Sequence, residues 1–475
     1  VVVANPPYMG GRKLNPSLAL FLEDGFADYK ADLFAAFVIR SRRLALMSGH
    51  LGFMTPFTWM FISSYEAFRK TVLLDSHITT YTLSNKSAPT AKGVFISLTK
   101  FVGPEKQDPN ALRAIANPSC GWSYLASSEE LARIPSSPIA YWATPHCRRL
   151  FAESVPLGSC CDPRQGLATS DNNRFLRAWF EVAINNVGCS CSSAKEAVQT
   201  KRKWFPYNKG GDFRKWYGNN TFLINWFNDG EEVLGYAKEL YGSPTRTIKN
   251  ISYYFRPCVT WTYISSSFFG VRYSPPGFIF DVAGSSAFAA PEKLPVLTGY
   301  LTSKVTFEFL KIINPTLNFQ AGNVAALPWK EAAFADLIQV IEHTVGSAIT
   351  LARADWDNFE TSWDFRDQPL LRPGLKCATL EASWRNWEAQ STVAIRRMQE
   401  LETENNRLFI AAYGLADELT PEVPEEQITL ARADQRKDMA IFLSYAVGCM
   451  MGRYSLDKPG LILANAGDTL REFLA

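Results

Sequence analysis

Short apolar runs alternate with amphipathic stretches along the first hundred residues. Val1–Ala4 contains three β-branched residues in succession, and Leu51–Met54 is a second short apolar run. Such runs predict strands that are buried on both faces, as in a parallel sheet. Asp32–Met47 and Ser63–Leu74 carry apolar residues at helical spacing, so the order of elements predicts an α/β sheet. Two more β-rich runs complete this sheet as a strand pair, Ile78–Leu83 and Val94–Phe101.

The pattern changes near residue 156, where aromatic and basic residues replace the regular periodicity. Trp261–Ser267 and Phe268–Phe280 predict paired strands with a Pro-Gly turn at Pro275–Gly277. Leu294–Ile313 predicts a helix. Beyond Pro328, apolar residues again recur at helical spacing, which predicts a helical C-terminal region. Its predicted helices are Ala332–Ala354, a long helix from Trp384 to Tyr413, and Asp438–Tyr454.

A rigid turn, Asn5-Pro6-Pro7-Tyr8, follows the first strand. We call it the proline turn. Proline fixes its own φ and biases the preceding residue away from helix, so the turn stays extended. In α/β proteins, ligands bind at such carboxyl ends of strands.

The residue types of the proline turn suit methyl transfer to an exocyclic amine. The Asn5 side-chain oxygen and the Pro6 carbonyl can accept the two N–H groups, which returns the lone pair to the nitrogen. Tyr8 can stack on a base taken out of a helix, at roughly 1–3 kcal/mol. No group of tuned pKa is needed, because displacement on a sulfonium is driven by positioning. A proline-stopped strand with an ordinary tyrosine is the alternative interpretation.

These four residues resemble the catalytic motif of amino-directed DNA methyltransferases. Much of the remaining chain is similar to the adenine-specific methyltransferases of the BREX phage-defence system (PglX), which are themselves similar to combined restriction–modification methylases. The stretches that carry this resemblance are Asp32–Phe34, Leu51–Ile62, Gly166–Phe175, Trp356–Phe365 and Tyr445–Asn465.

The resemblance implies an α/β fold class with three parts. Residues 1–155 would form the second half of a partial Rossmann-like methyltransferase sheet, 156–330 an α+β target-recognition domain, and 331–475 a helical C-terminal region. It also implies site-specific N6 methylation of adenine in double-stranded DNA with S-adenosylmethionine, marking host DNA in the cytoplasm as part of BREX-type phage defence. The expected catalytic residues are Asn5, Pro6, Pro7 and Tyr8, and other BREX proteins are candidate partners.

The resemblance also predicts which residues of this chain would take part in binding the cofactor. In the resembled fold, S-adenosylmethionine is bound largely by a Gly-rich turn that precedes the Asn-Pro-Pro-Tyr turn, so we expect it upstream of Val1. This chain would then supply Asn5 and Phe34. Phe278–Ser286 has a strand and an acidic turn in permuted order but lacks a second glycine for close backbone approach. Related enzymes commonly place an aromatic residue in the loop that corresponds to Asn85–Gly93, and this loop has none.

Cations alternate with aromatic rings and polar donors in the middle of the chain. This mixture suits phosphate contacts for affinity and a few base-edge contacts for sequence choice. A solvated surface of strands and turns is the alternative. The predicted DNA-binding residues are Thr169, Asn172, Arg174, Lys201, Arg202, Lys203, Lys209, Arg214 and Lys215.

Composition narrows the class of protein. The 475 residues suffice for two or three domains, and the 47% hydrophobic and 20% charged content indicates a globular chain. A net charge of +3 requires any DNA contact to be a local patch. Nine cysteines without regular spacing predict reduced thiols. The spacing of Cys160-Cys161 and Cys189-x-Cys191 is poor for tetrahedral zinc, so we expect no metal. No apolar run reaches the ~20 residues of a membrane span.

Two other classes of function stay open at this point. A catalytically silent DNA-recognition fragment without cofactor binding would bind DNA sequence-selectively and transfer no methyl group at saturating S-adenosylmethionine. A methyltransferase acting on RNA or on a protein amide is the second, since related turns act there. Competition binding among DNA, RNA and peptide separates these classes.

Overall fold

The computed structural model describes residues 1–75, 77–79, 82–86, 88–265, 268–316 and 318–474. The chain divides into two compact units, of which the first comprises residues 1–155 with 309–316 and the second comprises 156–308 with 317–475. Each unit is described by itself below.

The first unit is a mixed α/β body. Its strands are Val2–Ala4, His50–Phe53, His77–Thr79, Thr82–Ser84, Lys92–Ile96 and Ser123–Ser127. Its helices are Pro16–Phe26, Leu33–Leu44, Glu66–Asp75, Pro104–Ala116, Ser128–Ala132 and Pro145–Glu153. The predicted strand, helix, strand and helix are therefore present in that order, but a further helix that was not predicted, Pro16–Phe26, lies between the first strand and Leu33–Leu44.

The first strand pairs in parallel with His50–Phe53, which places the carboxyl ends of both strands at one edge of the sheet. Thr82–Ser84 runs antiparallel beside His50–Phe53, and His77–Thr79 lies beyond it. The sequence predicted one strand over Ile78–Leu83. Thr80 and Tyr81 of that run lie outside the described residues, and the structure has a short strand on either side of them.

The burial predicted for the first strand is wrong in part. Val3 is 77% exposed and Val1 is 94% exposed, whereas Val2 packs against the core of the unit. The reason is position, because within the described sheet this strand stands at one end of the strand order. An edge strand has a neighbour on one side only, so a continuous apolar run there is not covered.

The helices Leu33–Leu44 and Glu66–Asp75 contribute the core of this unit. Phe34, Leu51 and Phe68 are at most 2% exposed and belong to one apolar cluster. Burying a side chain of this size contributes about 1.5–3 kcal/mol, so the amphipathic faces predicted from periodicity explain why these helices form.

The second unit contains two four-stranded sheets and a set of long helices. Its described strands in these sheets are Asp162–Arg164, Leu176–Ala178, Trp204–Asn208, Phe222–Asn225, Cys258–Trp261, Val271–Ser274, Ile279–Phe280 and Ser286–Phe288. Its helices of eight or more residues include Phe227–Tyr241, Leu294–Thr302, Ile338–Trp356, Leu380–Ala412 and Gln435–Met450. In the part of the chain that the structure describes, no helix is both long and apolar enough to cross a membrane.

The strands near Pro275–Gly277 pair differently from the prediction. Cys258–Trp261 and Val271–Ser274 form an antiparallel pair. Ile279–Phe280 follows the Pro-Gly turn but joins the other sheet, in parallel with Trp204–Asn208. The turn therefore passes the chain from one sheet to the next. Of the predicted strand Trp261–Ser267, Ser266 and Ser267 lie outside the described residues.

Predicted helices differ from observed ones mainly at their ends. The predicted Leu294–Ile313 is two helices, Leu294–Thr302 and Lys304–Ile313, because Ser303 has an extended backbone with ψ 155°. The long helix Leu380–Ala412 begins where the Thr379 side chain accepts a hydrogen bond from the Ala382 N–H.

Candidate catalytic turn and nucleic-acid interface

The proline turn lies at the carboxyl end of the first strand, where the neighbouring strand also ends. Asn5 and Tyr8 are exposed, and Pro6 is buried beneath them. The Tyr8 hydroxyl lies 3.2 Å from Asn5 Oδ1 and 3.0 Å from the Met54 carbonyl oxygen, so one proton is shared between two acceptors. The Met54 N–H in turn donates to the Ala4 carbonyl. The turn is thus fixed to the end of the neighbouring strand.

Phe34 supports Tyr8 from inside the unit. Its ring meets the Tyr8 ring edge-on, with centroids 6.3 Å apart and planes at 88°. The sequence resemblance predicted contact between Phe34 and the cofactor, but Phe34 is fully buried and packs on Tyr65 and Phe68. A direct cofactor contact would therefore require this core to open. Burial raises the pKa of Tyr65 to about 12, with the charge of Asp32 adding to it.

Asp32 joins the proline turn to the helix that carries Phe34. Its Oδ1 accepts from the Phe34 N–H at 3.3 Å as the N-cap of Leu33–Leu44, and from the Met9 N–H at 2.9 Å. The Met9 carbonyl accepts from the Leu33 N–H. One carboxylate thus sets the position of both the helix and the segment after Tyr8.

An apolar cavity of about 410 Å³ lies in the first unit beyond the end of the second strand. Phe53 and Thr55, the neighbours of Met54, line it together with Trp59. Its wall includes Phe95 and Tyr141, whose rings stack with centroids 5.0 Å apart and planes at 8°. These are rings that the sequence analysis did not assign to the site, since neither lies in the loop where an aromatic residue was sought.

In the second unit, three of the predicted DNA-binding residues meet in one hydrogen-bonded cluster. Asn172 Oδ1 accepts from the Thr169 hydroxyl at 2.6 Å and lies 3.5 Å from Lys209 Nζ. Lys209 forms an ion pair with Asp281 at 2.6 Å. Asp281 also accepts the Tyr207 hydroxyl at 2.5 Å. The loop 166–174 is therefore held against Lys209, which directly follows the strand Trp204–Asn208.

Asp281 is the centre of that cluster and was missed as a site residue. Burial, followed by the charge of Asp281, raises the pKa of Tyr207 well above its usual value, so this phenol stays protonated and donates. The available signal was the strand and acidic turn over Phe278–Ser286, which the sequence analysis compared with a cofactor motif. In the structure this carboxylate binds Lys209 instead.

Lys201, Arg202 and Lys203 are exposed on the turn before Trp204. Lys203 lies 5.7 Å above the Trp204 ring. Arg174 is exposed as well, but its guanidinium pairs with Glu232 at 2.9 Å and lies 4.9 Å above the Tyr236 ring. The exposed turn Lys201–Lys203, which we call the basic turn, is open to phosphate.

Arg214 and Lys215 lie in a different environment. Arg214 pairs with Asp355 at 2.8 Å, and Lys215, 7% exposed, pairs with Glu402. Glu402 also accepts the Trp216 indole N–H at 2.9 Å. Both charges are already matched inside the unit, which weighs against direct phosphate contact because the ion pairs would have to break. Sequence spacing did not reveal these partners.

The cysteines are free thiols. Cys161 and Cys191 are buried, and Cys160 is partly buried. Burial raises the pKa of Cys161 to about 12. Among the residues that the structure describes, no three His, Cys, Asp or Glu side chains are grouped so that they could hold a metal ion.

The chain is similar to known proteins, over its first 88 residues in one comparison and over nearly its whole length in others. Residues 1–88 match the family model described as Eco57I restriction-modification methylase. The chain is 34% identical over 489 residues to the adenine-specific methyltransferase PglX of Lacticaseibacillus casei (strain Zhang), which covers 98% of this chain and 40% of that protein. It is 33% identical over 510 residues to the adenine-specific methyltransferase BrxX of Escherichia coli O9:H4 (strain HS), covering 98% of this chain and 39% of that protein.

The chain thus spans about two fifths of the length of these curated relatives. Among solved structures, it resembles the Type IIL restriction-modification enzyme MmeI in complex with DNA, with a TM-score of 0.51 and 11% identity. That match covers 94% of this chain and 57% of MmeI. At this identity the likeness concerns the fold alone.

Proposed function

Because the chain is related to the PglX-type adenine-specific methyltransferases along nearly its whole length, we propose that it forms part of a site-specific enzyme that methylates N6 of adenine in double-stranded DNA. The observation that carries the proposal is the proline turn. It presents an exposed amide, Asn5, and a half-exposed ring, Tyr8, at the carboxyl end of a parallel strand pair.

In this proposal, the turn orients and activates the adenine amine. Asn5 Oδ1 and the Pro6 carbonyl accept its two N–H groups, which draws the nitrogen toward tetrahedral geometry and frees its lone pair. Because Pro6 is buried, this contact requires its carbonyl to become accessible when the base enters. The Tyr8 ring, 51% exposed and backed by Phe34, stacks on the extruded base. Pro7 holds the turn extended.

S-adenosylmethionine fits the described residues in part. Asn5 is exposed where a cofactor could reach it, whereas Phe34 offers no surface. The group would supply an electrophilic methyl when bound. We propose that this chain provides the amine-orienting side of the site, and that the rest of the catalytic sheet adds at the open edge of Val2–Ala4, where Val3 is uncovered.

We propose that the second unit contacts DNA through the basic turn, Arg174 and the cluster around Asn172 and Lys209. The exposed cations would bind phosphates, and the polar groups of the loop 166–174 would lie near base edges. Arg214 would act by holding this surface on the helix Ile338–Trp356, and Lys215 by holding it on the long helix Leu380–Ala412. The structure of MmeI, which shares the fold, was solved in complex with DNA.

The wider biological role is also a proposal. From the resemblance of the sequence to the BREX methyltransferases, we propose a role in host-DNA marking during BREX-type defence, in the cytoplasm and with other BREX proteins. The relatives PglX and BrxX support the adenine-specific methylation in this role. Three functional parts, 1–155, 156–330 and 331–475, remain our proposed division. The break between residues 155 and 156 supports the first boundary.

The direct test is Asn5→Ala in the protein expressed from its complete gene. We expect methyl incorporation into unmarked host DNA to fall about a hundredfold or more, as for loss of one transition-state hydrogen bond. Asn5 is exposed, so the thermal unfolding midpoint should not change. Asn117→Ala, another exposed asparagine of the first unit, should leave methylation intact. Undiminished methylation in Asn5→Ala would overturn the proposal.

The second candidate is a catalytically silent DNA-recognition module. The burial of Phe34 and the partial fit of the cofactor favour it. It predicts sequence-selective DNA binding and no methyl incorporation by the unaltered protein at saturating S-adenosylmethionine. Methyl incorporation by the unaltered protein excludes it.

A further inference from the structure

The loop 166–174 lies along one helix of the second unit. Near the start of this helix, Glu232 pairs with Arg174 at 2.9 Å. At its last residue, the Tyr241 hydroxyl donates to Ser170 Oγ at 3.3 Å. Tyr241 is nine positions beyond Glu232, which at the rise of an α-helix corresponds to about 14 Å. Two points of the loop are thus fixed to opposite ends of the helix.

The turn that follows this helix, residues 242–247, also contacts the loop. The Thr247 carbonyl accepts from the Ala168 N–H at 2.9 Å. Within the turn, the Pro244 carbonyl accepts from the Thr247 N–H at 3.2 Å and from the Ile248 N–H at 2.9 Å. Ile248 is buried in the core of the unit. The turn therefore has a fixed position relative to the loop.

Arg246 is exposed on that turn and rests on an aromatic ring. Its guanidinium carbon lies 5.3 Å from the centroid of the Tyr241 ring. Such a contact stabilises an exposed pair by about 0.5–1 kcal/mol. Because the Tyr241 hydroxyl is bonded to Ser170, the ring sets where the guanidinium stands relative to the loop.

The charge of Arg246 is not matched by a carboxylate. Among the residues that the structure describes, none forms an ion pair with it, whereas Arg174 pairs with Glu232 and Lys209 with Asp281. In residues 236–250, three cations stand against one carboxylate, Glu239. The cations are Lys238, Arg246 and Lys249. This end of the loop therefore has an excess of positive charge that is open to an external anion.

A DNA phosphate suits this group. The guanidinium is a planar fork of donors that binds two phosphate oxygens at once, and stacking on a ring holds the fork in place. The loop has cations at both of its fixed points, Arg246 at one and Arg174 at the other. Their separation of about 14 Å along the helix is close to the roughly 12 Å width of the major groove. The exposed side chains of Asn172 and Asn173 belong to the loop between them.

We propose that Arg246 binds a phosphate of the DNA backbone, and that Tyr241 is a positioning residue that orients it. Neither residue was among the predicted DNA-binding residues. The inference rests on the proposed contact of the second unit with DNA. It adds a phosphate contact at the end of the loop opposite to Arg174.

The test uses the protein expressed from its complete gene and fluorescence anisotropy over a range of salt concentrations. One labelled duplex contains the sequence that is methylated in the host genome, and a second has the same composition without it. We expect Arg246→Gln to weaken both duplexes about three- to tenfold and to lower the slope of log affinity against log salt by about one. Arg246 is exposed, so the thermal unfolding midpoint should not change.

Two further variants separate charge from orientation. Arg246→Lys keeps the charge, so the slope should stay that of the unaltered protein while part of the affinity is lost. Tyr241→Leu should weaken both duplexes at unchanged slope, because the cation remains but loses its support. Arg396→Gln, an exposed arginine of the long helix, should change neither affinity nor slope.

Three results would overturn the proposal. They are unchanged affinity and slope in Arg246→Gln, a loss confined to the duplex with the methylated sequence, and a lowered unfolding midpoint in both Arg246 variants. The second result would assign Arg246 to a base instead of a phosphate. If the unaltered protein bound neither duplex, the proposed DNA contact of the whole second unit would fall as well. Normal binding by the unaltered protein with no effect of Arg246→Gln would refute the Arg246 contact alone.

Discussion

At the scale of single residues, the hydroxyl of Tyr8 has a role beyond that of the ring. It binds Asn5 Oδ1 and the Met54 carbonyl, so it holds the amide that would orient the substrate amine. The ring itself is half exposed and rests on Phe34. Positioning and stacking can therefore be separated by substitution.

We expect Tyr8→Phe to lower the rate of methyl incorporation about two- to tenfold, the worth of one hydrogen bond of roughly 0.5–1.5 kcal/mol. Tyr8→Ala should lower it by about ten- to a hundredfold more, since stacking on the base is also lost. Single-turnover methylation of unmarked host DNA measures both. Equal rates for Tyr8→Phe and Tyr8→Ala would contradict a stacking role.

Residue contacts were predictable from the sequence where the partners are local. Asn5, Pro6 and Tyr8 lie within one turn, so their proposed chemistry could be argued from a tetrapeptide. The contact of Lys215 could not be predicted in this way, because its partner Glu402 is 187 positions further along the chain. A cluster of cations in sequence indicates exposed charge unless distant carboxylates fold onto it, and only the fold reveals those.

At the scale of elements, the helix Leu33–Leu44 and the proline turn are joined by the N-cap Asp32. The same carboxylate oxygen accepts from the helix and from Met9, just after Tyr8. Loss of this residue should therefore affect stability and chemistry together.

We expect Asp32→Ala to lower the free energy of unfolding by about 1–2 kcal/mol, the usual worth of an N-cap. It should also slow methyl incorporation, because Met9 is released. Urea unfolding measures the first effect. Asp32→Asn keeps a capping oxygen and should recover most of the stability, and Asp24→Ala, an exposed aspartate of the preceding helix, should have no effect on either. Full stability in Asp32→Ala would show that backbone contacts alone hold the junction.

Elements with a strong local pattern were predicted, and those with broken patterns were not. Leu380–Ala412 follows from apolar spacing alone. Phe227–Tyr241 was missed because its first turns have left-handed residues, Asn228 and Asp229, before the regular helix. Ile279–Phe280 lies within a run that was predicted as strand, but its partner was not predicted, because pairing with the distant strand Trp204–Asn208 is fixed only by the fold.

At the scale of the molecule, the residues divide into two compact units, where three parts were predicted. Apart from residues 309–316, the two regions predicted as separate parts, 156–330 and 331–475, lie in one unit. Arg214, Lys215 and Trp216 connect them through Asp355 and Glu402. The change in composition near residue 156 is enough to predict the break there. Composition carries no information about contacts between residues on either side of residue 330.

We expect calorimetry of the chain to show two unfolding transitions, one for each unit. Lys215→Met should lower the midpoint of one transition only, because it leaves Glu402 buried without its cation, at about 3–5 kcal/mol. Arg202→Gln, on the exposed basic turn, should leave both midpoints unchanged and lower the salt dependence of DNA binding by about one unit of slope. A single transition, shifted as a whole by Lys215→Met, would contradict the division.

The buried pair Lys215–Glu402 also constrains how specificity could be exchanged among relatives. A chimera that transplants residues 156–330 alone would combine the arginine and lysine of one protein with the two partner helices of another. Any mismatch at position 355 or 402 would leave a buried charge without its partner. Recombination breakpoints that yield working hybrids should therefore fall near residue 155 and after residue 402. The proposed DNA-contacting surface and the helices that carry its buried carboxylates would then come from the same parent.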